Sequence, residues 1–191
     1  MKAYNSFPDG YKEIYKLDMQ KDKKLAFWLN FSSVVIALIM GFIPAMLVGN
    51  PFSIPPLHWV LAFALEIVYI VLHELVHGIA MKCVGTKKVK YGFTGLYAFA
   101  GSADYYDKSS YITIALAPVV LWGIVLAVVQ CFVPVEYFWI PWLVQISNIA
   151  GACGDAFVTA KFSKMPKDIL VSDYGVGMTV YSKEEWPAIK Q

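Results

Sequence analysis

The run "YIVLHELVHGIAM", residues 69–81, sets two imidazoles and a carboxylate in the middle of an otherwise apolar stretch. Ionisable side chains are costly inside a bilayer, so either the run lies outside the membrane or its polar residues have a task there. Composition decides for the membrane. Of 191 residues, 58% are hydrophobic and only 16% charged, and the mean hydropathy of +0.55 is above that of a soluble domain of this size. Crossing a hydrocarbon core takes about 20 helical residues, and the stretches 25–49, 57–81, 111–133 and 136–160 are long and apolar enough to do so. The expected fold class is therefore all-α membrane: four transmembrane helices with a small cytoplasmic β-hairpin element.

The lysines give the orientation. Lys21, Lys23 and Lys24 precede the first span, and the loop "GNPFSIPPLH" after it has no Lys or Arg. Lys82, Lys87, Lys88, Lys90 and Lys108 flank the next loop, "PVE" has none, and Lys161, Lys164 and Lys167 follow the last span. This alternation predicts both termini and the long loop on the cytoplasmic side of a plasma membrane, bacterial by expectation. It divides the chain into a cytoplasmic N-terminal segment 1–24, a four-span core 25–160 and a cytoplasmic tail 161–191. The lysines form no aromatic-interleaved basic face, so no nucleic-acid partner is expected. A cleaved leader is not expected either, because the first apolar run is too long and starts too late. Cys83, Cys131 and Cys153 lack CxxC spacing and read as small apolar residues.

Outside the spans, "YKEIYKLDM" is short enough to fit helix or strand. The loop "VGTKKVKYGFTGLYAFAGSADYY" carries glycines at 85, 92, 95 and 101 among aromatic and β-branched residues, which is hairpin chemistry. The tail "ILVSDYGVGMTVYS" reads as two short strands about an Asp-Tyr-Gly turn.

His73-Glu74-Leu75-Val76-His77 matches HExxH. The i, i+4 spacing puts both imidazoles on one helical face to hold zinc, and the glutamate acts on the water. Inside a span, a bound dication also relieves the desolvation of three ionisable residues in adjacent turns. Two histidines leave zinc short of a third protein ligand. At 1.5 Å per residue, His73 and His77 lie about 13 and 7 Å before Lys82, and Asp155 lies about 9 Å before Lys161. Asp155 also follows Ser147, Gly151 and Gly154, small residues that allow close helix approach. Glu66 and Asn148 stand seven residues before His73 and Asp155, on the same helical faces. Asn148 is read as a donor to a substrate carbonyl or as interhelical glue, and Glu66 as glue or a cavity acid. His58, beside Trp59, is read as interfacial, and Pro118 as a kink that opens space beside the site or as a proline merely tolerated in a membrane helix.

These elements together resemble the site-2 protease class of intramembrane zinc metalloproteases, and more narrowly the small four-span membrane proteins grouped as zincin peptidases. The resemblance runs from about residue 8 to 181 and is most specific at HELVHG. It implies His73, His77 and Asp155 as zinc ligands and Glu74 as general base. Site-2 proteases usually carry Asp-Gly in the third-ligand motif, whereas here Gly154 precedes Asp155 and Ala156 follows it. The expected function is a zinc-dependent (Zn2+) endopeptidase acting in or near the membrane, close to the cytoplasmic leaflet, on a membrane protein or peptide, with the lipid bilayer as its surroundings. A catalytically silent zinc-binding scaffold or chaperone is the alternative, and a zinc transporter or sensor ranks third.

Overall fold

Helix α1 (Lys23–Val48) starts where the Asp22 carboxylate accepts the Leu25 backbone N–H at 2.9 Å, an N-cap bond that satisfies one orphan donor of the first turn. Helix α2 (Pro56–Cys83) opens on a proline, whose missing N–H costs nothing at that position. Helix α3 (Lys108–Phe132) is capped by Asp107, which accepts the Ser110 backbone N–H and the Ser109 hydroxyl, each at 2.8 Å. In this computed structural model, which describes residues 1–18, 21–95, 97–184 and 186, these three helices are long and apolar enough to cross a membrane. Their outer surfaces agree with that reading. Phe42, Leu47, Phe63 and Phe132 are 66–83% exposed, a pattern that water would penalise and lipid accepts.

The segment expected as a fourth span, 136–160, is not one helix. A 3₁₀ turn at Val135–Tyr137 leads into α4 (Trp139–Gly151), the chain breaks at Ala152, and α5 (Cys153–Ser163) follows. Gly151 and Gly154 flank the break, and two glycines so close weaken the helix between them.

The chain is mostly helical, but its β component is larger than a hairpin. Strands β1 (Ala3–Tyr4), β2 (Lys12–Asp18), β5 (Tyr105–Asp107), β6 (Leu170–Asp173) and β7 (Gly177–Ser182) form an antiparallel sheet in the order β1-β5-β6-β7-β2. Strands β3 (Lys90–Phe93) and β4 (Ala98–Gly101) form a separate hairpin. The ambiguous N-terminal segment is thus a strand, and the tail hairpin turns at residues 174–176 as its glycines suggest.

The described residues group into two compact units: one of Met1–Ala26, Glu74–Ala117 and Asp155–Gln191, the other of Phe27–His73 and Pro118–Gly154. In the first, Tyr106, Val171 and Val180 occupy facing positions on adjacent strands, and all three are fully buried. Met81, Tyr111, Ile114, Val158 and Phe162 complete that core. In the second, Pro44 lies inside α1, and the Met40 carbonyl four residues earlier accepts Trp142 Nε1–H at 2.9 Å.

The Asp107 cap supplies a stability prediction. Burial raises the Asp107 carboxyl, but the bonds from Ser110 and Ser109 outweigh it and hold the group below its ordinary value. Its native pKa then lies below the unfolded value of about 3.9, so its contribution is complete above about pH 4 and is lost as pH falls through the native value. Asp107→Ala is expected to cost about 1 kcal/mol at pH 7. Thermal midpoints in detergent should differ at pH 7 and converge with wild type near the acid limit.

Candidate metal centre

His73 and His77 lie one turn apart on α2, so both rings leave the same face of the helix. Each ring is held through Nδ1. The Tyr69 hydroxyl, one turn before His73, lies 2.8 Å from His73 Nδ1 and donates its single hydrogen to Asn148 Oδ1 at 3.0 Å. With that hydrogen committed, the His73 contact requires Nδ1–H to donate to the Tyr69 oxygen, which makes Nε2 the lone-pair nitrogen. His77 Nδ1–H donates to the Ile114 carbonyl at 2.9 Å, and again Nε2 carries the lone pair. Histidine ligands characteristically donate the other ring N–H in this way.

Asp155 occupies the first turn of α5, a consequence of the break at Ala152, and a helix N-terminus favours a carboxylate there. The far end of α5 is fixed by Lys108 Nζ, which donates to the Ser163 and Met165 carbonyls at 2.7 Å each, while Val158 and Phe162 pack into the core. Asp155 Oδ2 stands 3.8 Å from His77 Nε2, too long for a hydrogen bond between them.

One ligand atom from each of His73, His77 and Asp155 lies within 4.8 Å of the others. Donor atoms bonded to one tetrahedral zinc at about 2.0–2.1 Å stand about 3.3 Å apart, so modest side-chain adjustment closes these three on an ion. The surrounding charge also fits a dication. The Glu74 and Asp173 carboxylates both act electrostatically on Asp155, and three acids so close favour a positive centre. The donor set, two lone-pair imidazole nitrogens and a carboxylate, therefore suits zinc.

Glu74, between the histidines in sequence, meets the backbone N–H of Ala100 in β4. The hairpin that provides this contact rests on glycines. A Cβ at Gly78, just after the motif, would overlap the Tyr91 hydroxyl and ring of β3. A Cβ at Gly101 would stand 2.6 Å from the Gly175 nitrogen and 2.6 Å from the Tyr174 carbonyl carbon, in the turn after β6. Tyr91 is a half-exposed side chain that can swing aside, whereas the 174–175 backbone cannot. Gly101→Ala is accordingly expected to cost about 1–3 kcal/mol, as overpacking does. Gly78→Ala should cost less, and thermal midpoints of the two variants check the order.

Asn148, read from the sequence as a substrate donor or as interhelical glue, is fully buried, and its amide donates to the Val119 carbonyl at 3.1 Å and to Gln145 Oε1 at 3.4 Å. Its Oδ1 accepts the Tyr69 hydroxyl at 3.0 Å. Glu66 hydrogen-bonds Ser147, as an interhelical contact does, and the His58 ring lies 4.9 Å from that of Tyr137. Three supporting residues escaped sequence reasoning. Tyr69 was findable, being one turn before His73 in the opening run. Asp173 and Tyr111 were not, because nothing local pairs them: the Tyr111 hydroxyl donates to Asp173 Oδ2 at 2.7 Å across 62 positions. Burial raises the Asp173 carboxyl above its ordinary range, opposed by the Gly175 N–H and the Tyr111 hydroxyl.

A family model described as "Putative zincin peptidase" matches residues 66–170, a span that contains His73, Glu74, His77 and Asp155. The chain belongs to this family. Membership in a zincin peptidase family agrees with the donor set. A Pyrococcus woesei protein described as "Uncharacterized 24.7 kDa protein in gap 5'region" is 32% identical over 127 residues, which cover 63% of this chain and 54% of that protein. The chain thus spans about half the length of the curated relative it matches. No solved structure matches it.

Proposed function

We propose that this zincin-family chain is a zinc-dependent endopeptidase, similar to site-2 proteases, that hydrolyses a peptide bond in or beside a membrane near its cytoplasmic leaflet. The observation that carries the reading is the convergence of His73, His77 and Asp155 donor atoms within 4.8 Å, two of them on a helix long and apolar enough to cross a membrane. Zinc bound there supplies a Lewis acid that polarises a carbonyl and activates water. His73 and His77 present Nε2 because Tyr69 and the Ile114 carbonyl hold their Nδ1–H groups. Glu74, steadied by the Ala100 N–H, takes the proton of the attacking water and passes it to the leaving amine.

A helical substrate must first unwind, since its carbonyls are tied up in i to i−4 bonds. The β3–β4 hairpin is the element suited to receive the unwound segment as an added strand. In the same reading, α4 and α5 together make a broken fourth crossing, and the lysine asymmetry puts both termini in the cytoplasm. The test is cleavage of membrane-embedded peptides by the full chain in proteoliposomes, before and after chelation and zinc restoration. Cleavage that stops on chelation and returns with zinc supports the reading. Cleavage indifferent to chelation contradicts it.

A further inference from the structure

Helix α3 contains Pro118, fully buried and four residues after Ile114. In an α-helix the N–H of residue 118 would bond the carbonyl of residue 114, and proline has no N–H. The Ile114 carbonyl is therefore an orphan acceptor created by Pro118, and a buried orphan carbonyl needs a donor from elsewhere. The donor present is His77 Nδ1–H at 2.9 Å. The same arrangement occurs in α1, where Pro44 orphans the Met40 carbonyl and Trp142 Nε1–H fills it at 2.9 Å. Prolines in apolar helices are tolerated when neighbouring side chains re-satisfy the freed group. In α1 that neighbour is a packing tryptophan. In α3 it is a histidine of the HExxH pair.

We infer that Pro118 is a positioning residue of the metal centre: by withholding an amide from the Ile114 carbonyl it reserves that oxygen for His77 Nδ1–H and so fixes Nε2 as the ligating nitrogen. The inference rests on the metal-centre reading for its consequence, but its first effect, the choice of His77 tautomer, exists without any metal. With alanine at 118, the restored N–H competes for the carbonyl and draws it back toward the helix axis. His77 then loses the partner that selects its tautomer and ring orientation.

This predicts opposite signs for stability and metal binding. Alanine and glycine at 118 both regain a helix hydrogen bond, and Pro118→Ala also gains helix propensity, so the thermal midpoint of Pro118→Ala should hold or rise. Zinc affinity, measured by chelator competition on the full chain in detergent, should fall by about 10–100-fold, the usual loss when a partner of a ligating histidine is removed. In metal-free protein, ¹⁵N NMR of labelled imidazoles should show His77 as the Nδ1–H tautomer in wild type and as a mixture in Pro118→Ala. Pro118→Gly guards against a folding failure peculiar to alanine. Pro44→Ala, which restores the equivalent bond in α1, should leave both zinc affinity and the His77 tautomer unchanged. The inference is overturned if Pro118→Ala and Pro118→Gly keep the wild-type tautomer and bind zinc within about twofold of wild type. A wild-type protein that binds no zinc while the tautomer shifts as described would instead overturn the metal-centre reading and leave the role of Pro118 in holding His77 intact.

Discussion

Glu74→Gln should abolish measurable peptide cleavage while leaving zinc content near that of wild type. Glutamine preserves size and most packing, and its side-chain oxygen can still accept the Ala100 N–H. It removes the carboxylate proposed to accept a proton from the attacking water. Loss of such a base typically costs 10² to 10⁴ in rate, about 3–5 kcal/mol of barrier, which a cleavage assay resolves easily. The variant should still bind its substrate and accumulate with it. This experiment also separates enzyme from scaffold. If neither wild type nor Glu74→Gln cleaves any membrane protein, and both rescue the same cellular phenotype, a catalytically silent zinc-binding scaffold accounts for the data better.

His73→Ala and His77→Ala should each strip zinc from the purified chain, and Asp155→Ala should weaken binding strongly. Removing a ligand leaves two donors where a zinc site holds at least three from the protein. The two histidine variants should also differ from each other in their wider effects. Loss of the His73 ring frees the Tyr69–Asn148 pair of one partner, whereas loss of the His77 ring leaves the Ile114 carbonyl orphaned beside Pro118. A buried unsatisfied carbonyl costs about 1–3 kcal/mol, so His77→Ala should be the less stable of the two in metal-free form. Elemental analysis and thermal midpoints check both statements. Undiminished zinc in Asp155→Ala would move the third-ligand role to another residue.

What could be read in advance depended on whether the signal was local. Helices α1, α2 and α3 were legible because each is one long, predominantly apolar run, and their observed bounds fall within a few residues of those expected. The interruption at Ala152 was not, since Gly151 and Gly154 were read as a surface for close packing; in the structure they flank a break that brings Asp155 into a first turn. The β6–β7 hairpin was visible in its glycines. The five-stranded sheet was not, because β1, β2, β5, β6 and β7 come from three distant segments and only long-range pairing unites them. In the site, HExxH spacing marked the two histidines directly, and Asp155 emerged from counting membrane depth. Pro118 was read as a kink in α3 or as merely tolerated there; the carbonyl four residues before it, that of Ile114, accepts His77 Nδ1–H. The Tyr111–Asp173 pair and the Ala100 contact of Glu74 depend on how separate segments meet, and no periodicity announces that.

The most direct test of the central claim is X-ray absorption at the zinc edge on the full chain purified in detergent. One zinc per chain is predicted, with a first shell of nitrogen and oxygen at about 2.0–2.2 Å that includes two imidazoles, and with no sulfur at about 2.3 Å. Absence of zinc, or a shell containing sulfur from Cys83, Cys131 or Cys153, would contradict the assignment of His73, His77 and Asp155 as the ligands.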